Sequence, residues 1–374
     1  MPKPSVIVIG AGPGGIAATR RLLASGQVGV TLVQREGNAQ FLPGILPVLS
    51  GVRPPDGYRH TVALEGAQTR AGEVVALEAG HVWLADGASL AADAIIVATG
   101  LVTDTASVPV GPHTFPVWEI EQAAAARSAV ERLASGRLVV AITSLPYRCP
   151  PAPYGLAMTL ASQLRELGRP VEVIVTTPEQ RPLVNLGERV SSFMEQLARA
   201  AGIELRTGAR LDLAASRDGL LVTEDGERLA YDLALFIPPH RRPDFLSAVA
   251  GTGPLVQVDE RLRASLAGVW AIGDVAASAL PRAAGVAEAQ GRTAAGDALA
   301  SLGLGAPQPV ELPAPSCFVW TSHTSAARIQ IAFPDGLPPT GTPAISLDPP
   351  SAELSAEALD ARTRWLSQVS SGSR

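Results

Sequence analysis

One stretch near the start constrains this chain more than any other. Val6-Ile7-Val8-Ile9 reads as a buried strand, rich in β-branched residues. It runs into Gly10-Ala11-Gly12-Pro13-Gly14-Gly15, then into a helical pattern from Ile16 to Leu23. A second strand, Val30-Thr31-Leu32-Val33, follows Gly26. A strand, a Gly-x-Gly-x-x-Gly turn, a helix and a strand predict a compact βαβ unit. The first glycine permits the tight turn, and the second lets backbone approach a pyrophosphate. The third allows the helix to pack closely on the strand, and the helix N-terminus offers N–H groups to the phosphates. Gly10, Gly12, Gly14 and Gly15 are therefore expected to cradle a dinucleotide. The residue that holds its ribose is expected about 20 positions on. Gln34 and Glu36 stand there, and both are candidates.

Composition narrows the rest. The chain has 374 residues, with 47% hydrophobic and 17% charged content, enough for two or three globular domains. A formal charge of −5 gives no basic footprint, which argues against nucleic acid as a partner. The chain opens directly into a strand pattern with no leader pattern. It has no apolar run of about 18 residues. The cytoplasm is the expected compartment, and peripheral contact at the inner face of the membrane stays open. No metal site is expected, and oligomeric state is not legible.

Further along, a strand ends in Val97-Ala98-Thr99-Gly100, and another ends in Ile272-Gly273-Asp274. A helical run from Val286 to Leu299 follows Pro281-Arg282-Ala283-Ala284-Gly285. In this order after a glycine turn, these segments resemble the two-dinucleotide-binding flavoproteins. The resemblance implies FAD, held by Ala98, Thr99, Gly100, Gly273, Asp274 and Gly285 with the glycine turn. In such proteins the Asp takes a ribityl hydroxyl, and the helix N-terminus faces the flavin edge that gains negative charge on reduction.

A second strand–turn–helix–strand begins at Arg137-Leu138-Val139-Val140-Ala141-Ile142, where related reductases bind a nicotinamide dinucleotide. Its turn reads Thr143-Ser144-Leu145-Pro146-Tyr147-Arg148-Cys149-Pro150-Pro151, without a glycine. Bulky and proline-locked residues cannot let a pyrophosphate reach the backbone, so the nicotinamide site is expected to be lost. Cys149 stands at its edge. The other cysteine of the chain, Cys317, lies in Pro315-Ser316-Cys317-Phe318-Val319-Trp320.

These cysteine contexts, with Ile237-Pro238-Pro239-His240-Arg241 and Gln290-Gly291, resemble the sulfide:quinone oxidoreductase and flavocytochrome c sulfide dehydrogenase family over roughly residues 5–335. The resemblance implies an α/β fold of two Rossmann-like domains of the FAD-dependent disulfide-reductase type, with a small C-terminal region. The expected division is a discontinuous FAD domain (1–105 and 250–310), a second domain with a degenerate phosphate loop (106–249), and a C-terminal region (311–374). It also implies a redox disulfide between Cys149 and Cys317, oxidation of sulfide or a related sulfur compound, and a quinone or an electron-acceptor protein as partner. With no further cysteine to tether it, FAD is expected to be non-covalent. A catalytic disulfide is easier to reconcile with the cytoplasm than a structural one. Arg148 and the helix start after Cys149 favour a lowered thiol pKa.

Weaker candidates are His323 as a proton carrier, His240 as part of a structural turn, Glu119 beside the flavin, and Trp320 and Trp365 as walls of an acceptor site. A tail helix from Ala352 to Val369 carries mixed charge and is expected to close over the fold rather than bind a membrane. A type II NADH:quinone dehydrogenase would need a glycine-rich loop at 143–151. A flavin electron-transfer subunit without sulfide chemistry, or a persulfide or low-molecular-weight disulfide reductase, is also compatible.

Overall fold

A computed structural model describes residues 2–36, 38–250 and 253–371. The chain opens with β1 (Ser5–Ile9), α1 (Pro13–Ser25), β2 (Gly29–Gln34), β3 (Ala67–Ala71) and β4 (Ala94–Val97). A second unit comprises β5 (Thr114–Pro116), α2 (Ile120–Arg132), β6 (Gly136–Ile142), α3 (Ala152–Glu166) and β7 (Val171–Thr176). It continues with α4 (Glu188–Ala201), β8 (Glu204–Arg206) and β9 (Leu233–Ile237). The chain then returns to the first sheet with β10 (Val269–Ala271) and α5 (Ala284–Ser301). It ends with β11 (Ser316–Ser322), β12 (Ser325–Ala332), β13 (Ala344–Ser351) and α6 (Ala352–Val369).

The first sheet has the order β10-β4-β1-β2-β3 and the second β5-β9-β6-β7-β8. Every pairing in both is parallel. Central parallel strands are covered on both faces, which is why β1 reads as an unbroken apolar run. Val6, Ile7, Val8 and Ile9 are all buried, and full burial of such a side chain contributes about 1.5–3 kcal/mol. The fold is thus the expected α/β type with two Rossmann-like sheets.

Small residues set the closest approaches. Helix α1 ends at Gly26, whose left-handed φ of 64° caps it. A Cβ on Gly291 of α5 would lie 2.2 Å from the Gly14 carbonyl oxygen, so α1 and α5 touch backbone to backbone. A Cβ on Gly155 of α3 would lie 3.1 Å from the Trp320 backbone nitrogen, so β11 lies directly on α3. That contact brings the C-terminal strand carrying Cys317 to the start of α3, beside Cys149.

The three C-terminal strands form an antiparallel sheet, and α6 folds back over the molecule. Arg362 Nε donates to the Gly57 carbonyl at 2.7 Å, and its guanidinium lies 5.3 Å from the Tyr58 ring centre. Trp365 packs against Phe41 at 5.3 Å, and Arg20 donates to the Gln368 carbonyl at 2.6 Å. Ser370–Ser371 then pairs in parallel with Ala63–Leu64. The tail helix therefore packs against Phe41, Gly57 and Tyr58 and takes a hydrogen bond from Arg20. Among the described residues, no helix is long and apolar enough to cross a membrane.

Candidate functional site

The glycine turn is shaped by what its glycines exclude. Gly10 has φ of 104°, and a Cβ there would lie 2.5 Å from the Ala98 carbonyl oxygen. A Cβ on Gly15 would lie 1.9 Å from the Gly10 carbonyl oxygen. Gly10 and Gly15 thus pull the turn onto the end of β4, and Gly14 receives α5. Gly12 differs: a Cβ there would meet only the Ala98 oxygen, at 4.0 Å. It faces open space, at the N-cap of a helix with no side-chain cap and no acidic residue in its first turn. The N–H groups there have no side-chain acceptor among the described residues, which suits a phosphate.

A cleft of about 820 Å³ runs past this turn, lined by Gly10, Gln34, Thr99, Glu119, Arg148 and Arg241 among others. Gln34 is buried at 4% exposure, and neither amide atom has a hydrogen-bond partner among the described residues. An orphaned buried amide is costly, so Gln34 fits a polar ligand here. Glu36 does not line the cleft; it is exposed and ion-paired to Arg59 at 2.5 Å. Of the two ribose candidates the geometry favours Gln34. Gly100 adopts φ of 63°, and nothing lies within 4 Å of the position its Cβ would take.

At the other end, Gly273 N–H donates to Gln290 Oε1 at 2.7 Å. Asp274 accepts no hydrogen bond from the described residues, and its carboxyl is raised by burial, against the opposing pull of Arg148 and Arg282. Helix α5 starts without a side-chain cap and without an acid in its first turn. Gly285, in that first turn, lies against Pro315, two residues before Cys317. An uncapped helix at each end, an orphaned amide and a free carboxylate make a donor and acceptor set that fits FAD.

The second turn is built on side chains. Arg148, with its side chain 10% exposed, pairs with Glu119 at 2.8 Å and donates to the Trp118 carbonyl at 3.1 Å. Trp118 Nε1 donates back to the Arg148 carbonyl at 3.2 Å. Tyr147 and Tyr154 are buried, as is Glu179, which lies just beyond β7. The Glu179 carboxylate accepts from the Tyr147 hydroxyl at 3.1 Å, from the Thr177 hydroxyl at 3.2 Å, from the Leu183 N–H at 3.2 Å and from Tyr154. In an open parallel sheet a dinucleotide binds at the carboxyl ends of the strands, against the first βα turn. Here Tyr147, Tyr154 and Glu179 lie buried past the ends of β6 and β7 and hydrogen-bond to one another. Sequence reasoning missed Glu179; its one local signal is an acid shortly after the second strand of the unit.

Cys149 sits at φ of 54°, a left-handed backbone that costs a non-glycine residue about 1–2 kcal/mol. Arg148 lines the cleft that passes the glycine turn, and Cys149 opens onto a second cavity of about 360 Å³. Cys317 lines the same cavity, with Phe41, Tyr58, Trp320 and Trp365, and α6 forms its roof. Both cysteines are half-buried free thiols. The expected depression of the Cys149 pKa is not found. Burial, then neighbouring Cys317 and Asp274, push it up to about 12, outweighing the Ala152 N–H and Arg148. Burial pushes Cys317 up to about 11. A local argument from Arg148 and a helix start lost to desolvation.

His240 is buried, with Nδ1 2.8 Å from the Pro238 carbonyl. Burial and then Arg148 lower it to about 3, so it is a neutral structural imidazole. His323 lies 3.6 Å from Glu166 beside a different cavity and does not join the thiols.

Three comparisons bear on this arrangement. The chlorobenzene dioxygenase ferredoxin reductase component of Cupriavidus sp. (strain PS12) is 27% identical over 292 residues, covering 72% of this chain and 67% of that protein. The sulfide:quinone oxidoreductase structure from Aquifex aeolicus superposes with a TM-score of 0.83 at 15% identity, covering 98% of this chain and 91% of that one. The covalent putidaredoxin reductase–putidaredoxin complex gives a TM-score of 0.67 at 21% identity, over 97% and 94% of the two chains. At such identities the structural likeness establishes the fold alone. The model of the Pyridine nucleotide-disulphide oxidoreductase family matches residues 4–291, so this chain belongs to that family of flavin-dependent oxidoreductases.

Proposed function

We propose that the chain oxidises sulfide, or a related sulfur compound, through a Cys149–Cys317 redox disulfide, with FAD relaying electrons to a quinone or other acceptor. The observation that carries this reading is that two cysteines far apart in sequence line one cavity. Non-covalent FAD would be held by the glycine turn, Gln34, Ala98, Thr99, Gly100, Gly273, Asp274 and the start of α5 at Gly285. When bound it supplies a two-electron acceptor for the cysteine pair.

The chain's own part is sulfur exchange. Hydrosulfide attacks one sulfur of the Cys149–Cys317 disulfide; the S–S bond breaks, leaving a persulfide on one cysteine and a thiolate on the other. A second hydrosulfide takes the outer sulfur as hydrodisulfide, leaving two reduced cysteines. Loss of two electrons and the thiol protons restores the disulfide. The raised thiol pKa values favour protonated thiols in the reduced centre, so reduction takes up protons. The aromatic cavity beneath α6 suits an apolar electron acceptor.

The buried cluster of Tyr147, Tyr154 and Glu179 opposes a type II NADH:quinone dehydrogenase, although the ferredoxin reductase relative keeps an electron-transfer subunit in view. Anaerobic titration separates these readings. The purified protein is expected to be yellow, and sulfide should bleach it at least 100-fold faster than NADH. Cys317→Ser should keep its flavin and lose sulfide bleaching. Rapid bleaching by NADH with sulfide inert would overturn the proposal.

A further inference from the structure

The backbone of Cys149 is strained, and something must hold it. Tyr147 stands two residues before it, and Tyr154 lies on the helix that follows. The Tyr147 hydroxyl lies 3.1 Å from the Pro150 carbonyl, just beyond the cysteine, and 3.1 Å from Glu179 Oε2. One hydroxyl thus lies between the turn around Cys149 and a residue just beyond β7, its single proton shared between two acceptors. Tyr154 reaches the same carboxylate from α3. Glu179 is itself fixed by Thr177 and by the Leu183 N–H. No arginine, lysine or histidine contacts its carboxylate among the described residues; its contacts are hydroxyls and one main-chain amide. Both sides of the strained cysteine therefore converge on one buried acid.

We propose that Glu179 and Tyr147 form a latch that positions Cys149 against Cys317. They are positioning residues: neither lines the cavity that holds the sulfurs. A left-handed cysteine is one of several arrangements open to a free loop, and the chain already holds it with both thiols free. Holding that arrangement in advance lowers the entropy lost when the bond closes. This inference rests on the proposed redox pairing.

The test is the thiol–disulfide equilibrium of the full flavin-loaded chain against dithiothreitol. Reduced dithiothreitol and its cyclic disulfide exchange two electrons and two protons with the pair, so the balance is complete. Acid quenching, alkylation and intact-mass measurement give the oxidised fraction, and thermal melting is followed in parallel. Tyr147→Phe removes a single hydroxyl and should shift the equilibrium toward the dithiol by roughly fivefold, as expected for one lost hydrogen bond. Glu179→Leu should shift it at least as far. Glu179→Gln keeps an acceptor for the hydroxyls but sets an NH2 against the Leu183 N–H, so its shift should be smaller than that of Glu179→Leu.

A purely structural cluster predicts something else: a lower melting temperature in Tyr147→Phe with an unchanged equilibrium. That result overturns the latch. Tyr147→Phe decides the matter alone if Glu179→Leu fails to fold. A wild-type chain that forms no Cys149–Cys317 disulfide at any dithiothreitol ratio overturns the redox pairing itself, and the latch with it.

Discussion

The turns after β1 and β6 occupy the same place in the two parallel sheets and are built in opposite ways. The first is defined by missing side chains. Gly10 and Gly15 let backbone touch backbone, while Gly12 leaves a groove in front of an uncapped helix. The second is defined by side chains that are present: Tyr147 and Tyr154 reach Glu179, and Arg148 reaches Glu119 and Trp118. Through turn composition alone, one scaffold presents N–H groups to an open groove at one site and a cysteine to a cavity at the other. The difference teaches that the fold does not assign the chemistry; the atoms present or absent at each βα turn do.

The largest effect that would sharpen this contrast is expected from Gly15→Ala. The new Cβ would lie 1.9 Å from the Gly10 carbonyl oxygen, which is backbone, and 3.2 Å from the Ala98 methyl, neither of which can swing away. Destabilisation of more than about 4 kcal/mol is expected, seen as loss of soluble protein or a collapsed melting temperature. Gly12→Ala should behave differently, because the protein itself leaves room for a methyl group there. Its flavin-free stability should fall by no more than about 1 kcal/mol, the scale of an N-cap change, while flavin retention, read from the visible-to-280 nm absorbance ratio, falls sharply. Full flavin content in Gly12→Ala would break the comparison, because the first turn would then not be the cradle.

The two turns were also unequally legible. The first βαβ unit could be read from residues 5–33 because its causes are local: an apolar strand, glycines where backbone must approach, then a helix. The loss of a glycine loop at 143–151 was legible for the same reason. What stands there instead was not. Glu179 comes from beyond β7, and no short-range pattern joins it to Tyr147. Likewise, bringing Cys317 to Cys149 depends on β11 lying on α3 at Gly155 and on Pro315 lying against Gly285. The pairing was suggested by family resemblance, since spacing alone would not give it. The choice between Gln34 and Glu36 needed burial: the acid is exposed and engaged with Arg59, while the amide is buried and unpartnered.

The expectation that failed leads to the smallest of these effects. Arg148 and a helix start are visible in sequence and both lower the Cys149 pKa, but desolvation and the second thiol belong to the tertiary fold and win. Each thiol is raised above its ordinary value of 9.0, so the folded, reduced chain keeps protons that the unfolded chain gives up between about pH 9 and 12. The sign follows: this contribution to stability is fully present below pH 9 and is lost as pH rises toward 11 and 12. In the same window thiolate becomes available. Native, fully reduced protein at pH 8 should therefore react with iodoacetamide at least about tenfold more slowly than the same protein in denaturant. Its rate should keep climbing beyond pH 10, while the denatured control levels off near pH 9 to 10. A native profile that levels off below pH 9 would show that Arg148 and the helix start prevail over burial, making the second turn an electropositive cradle like the first.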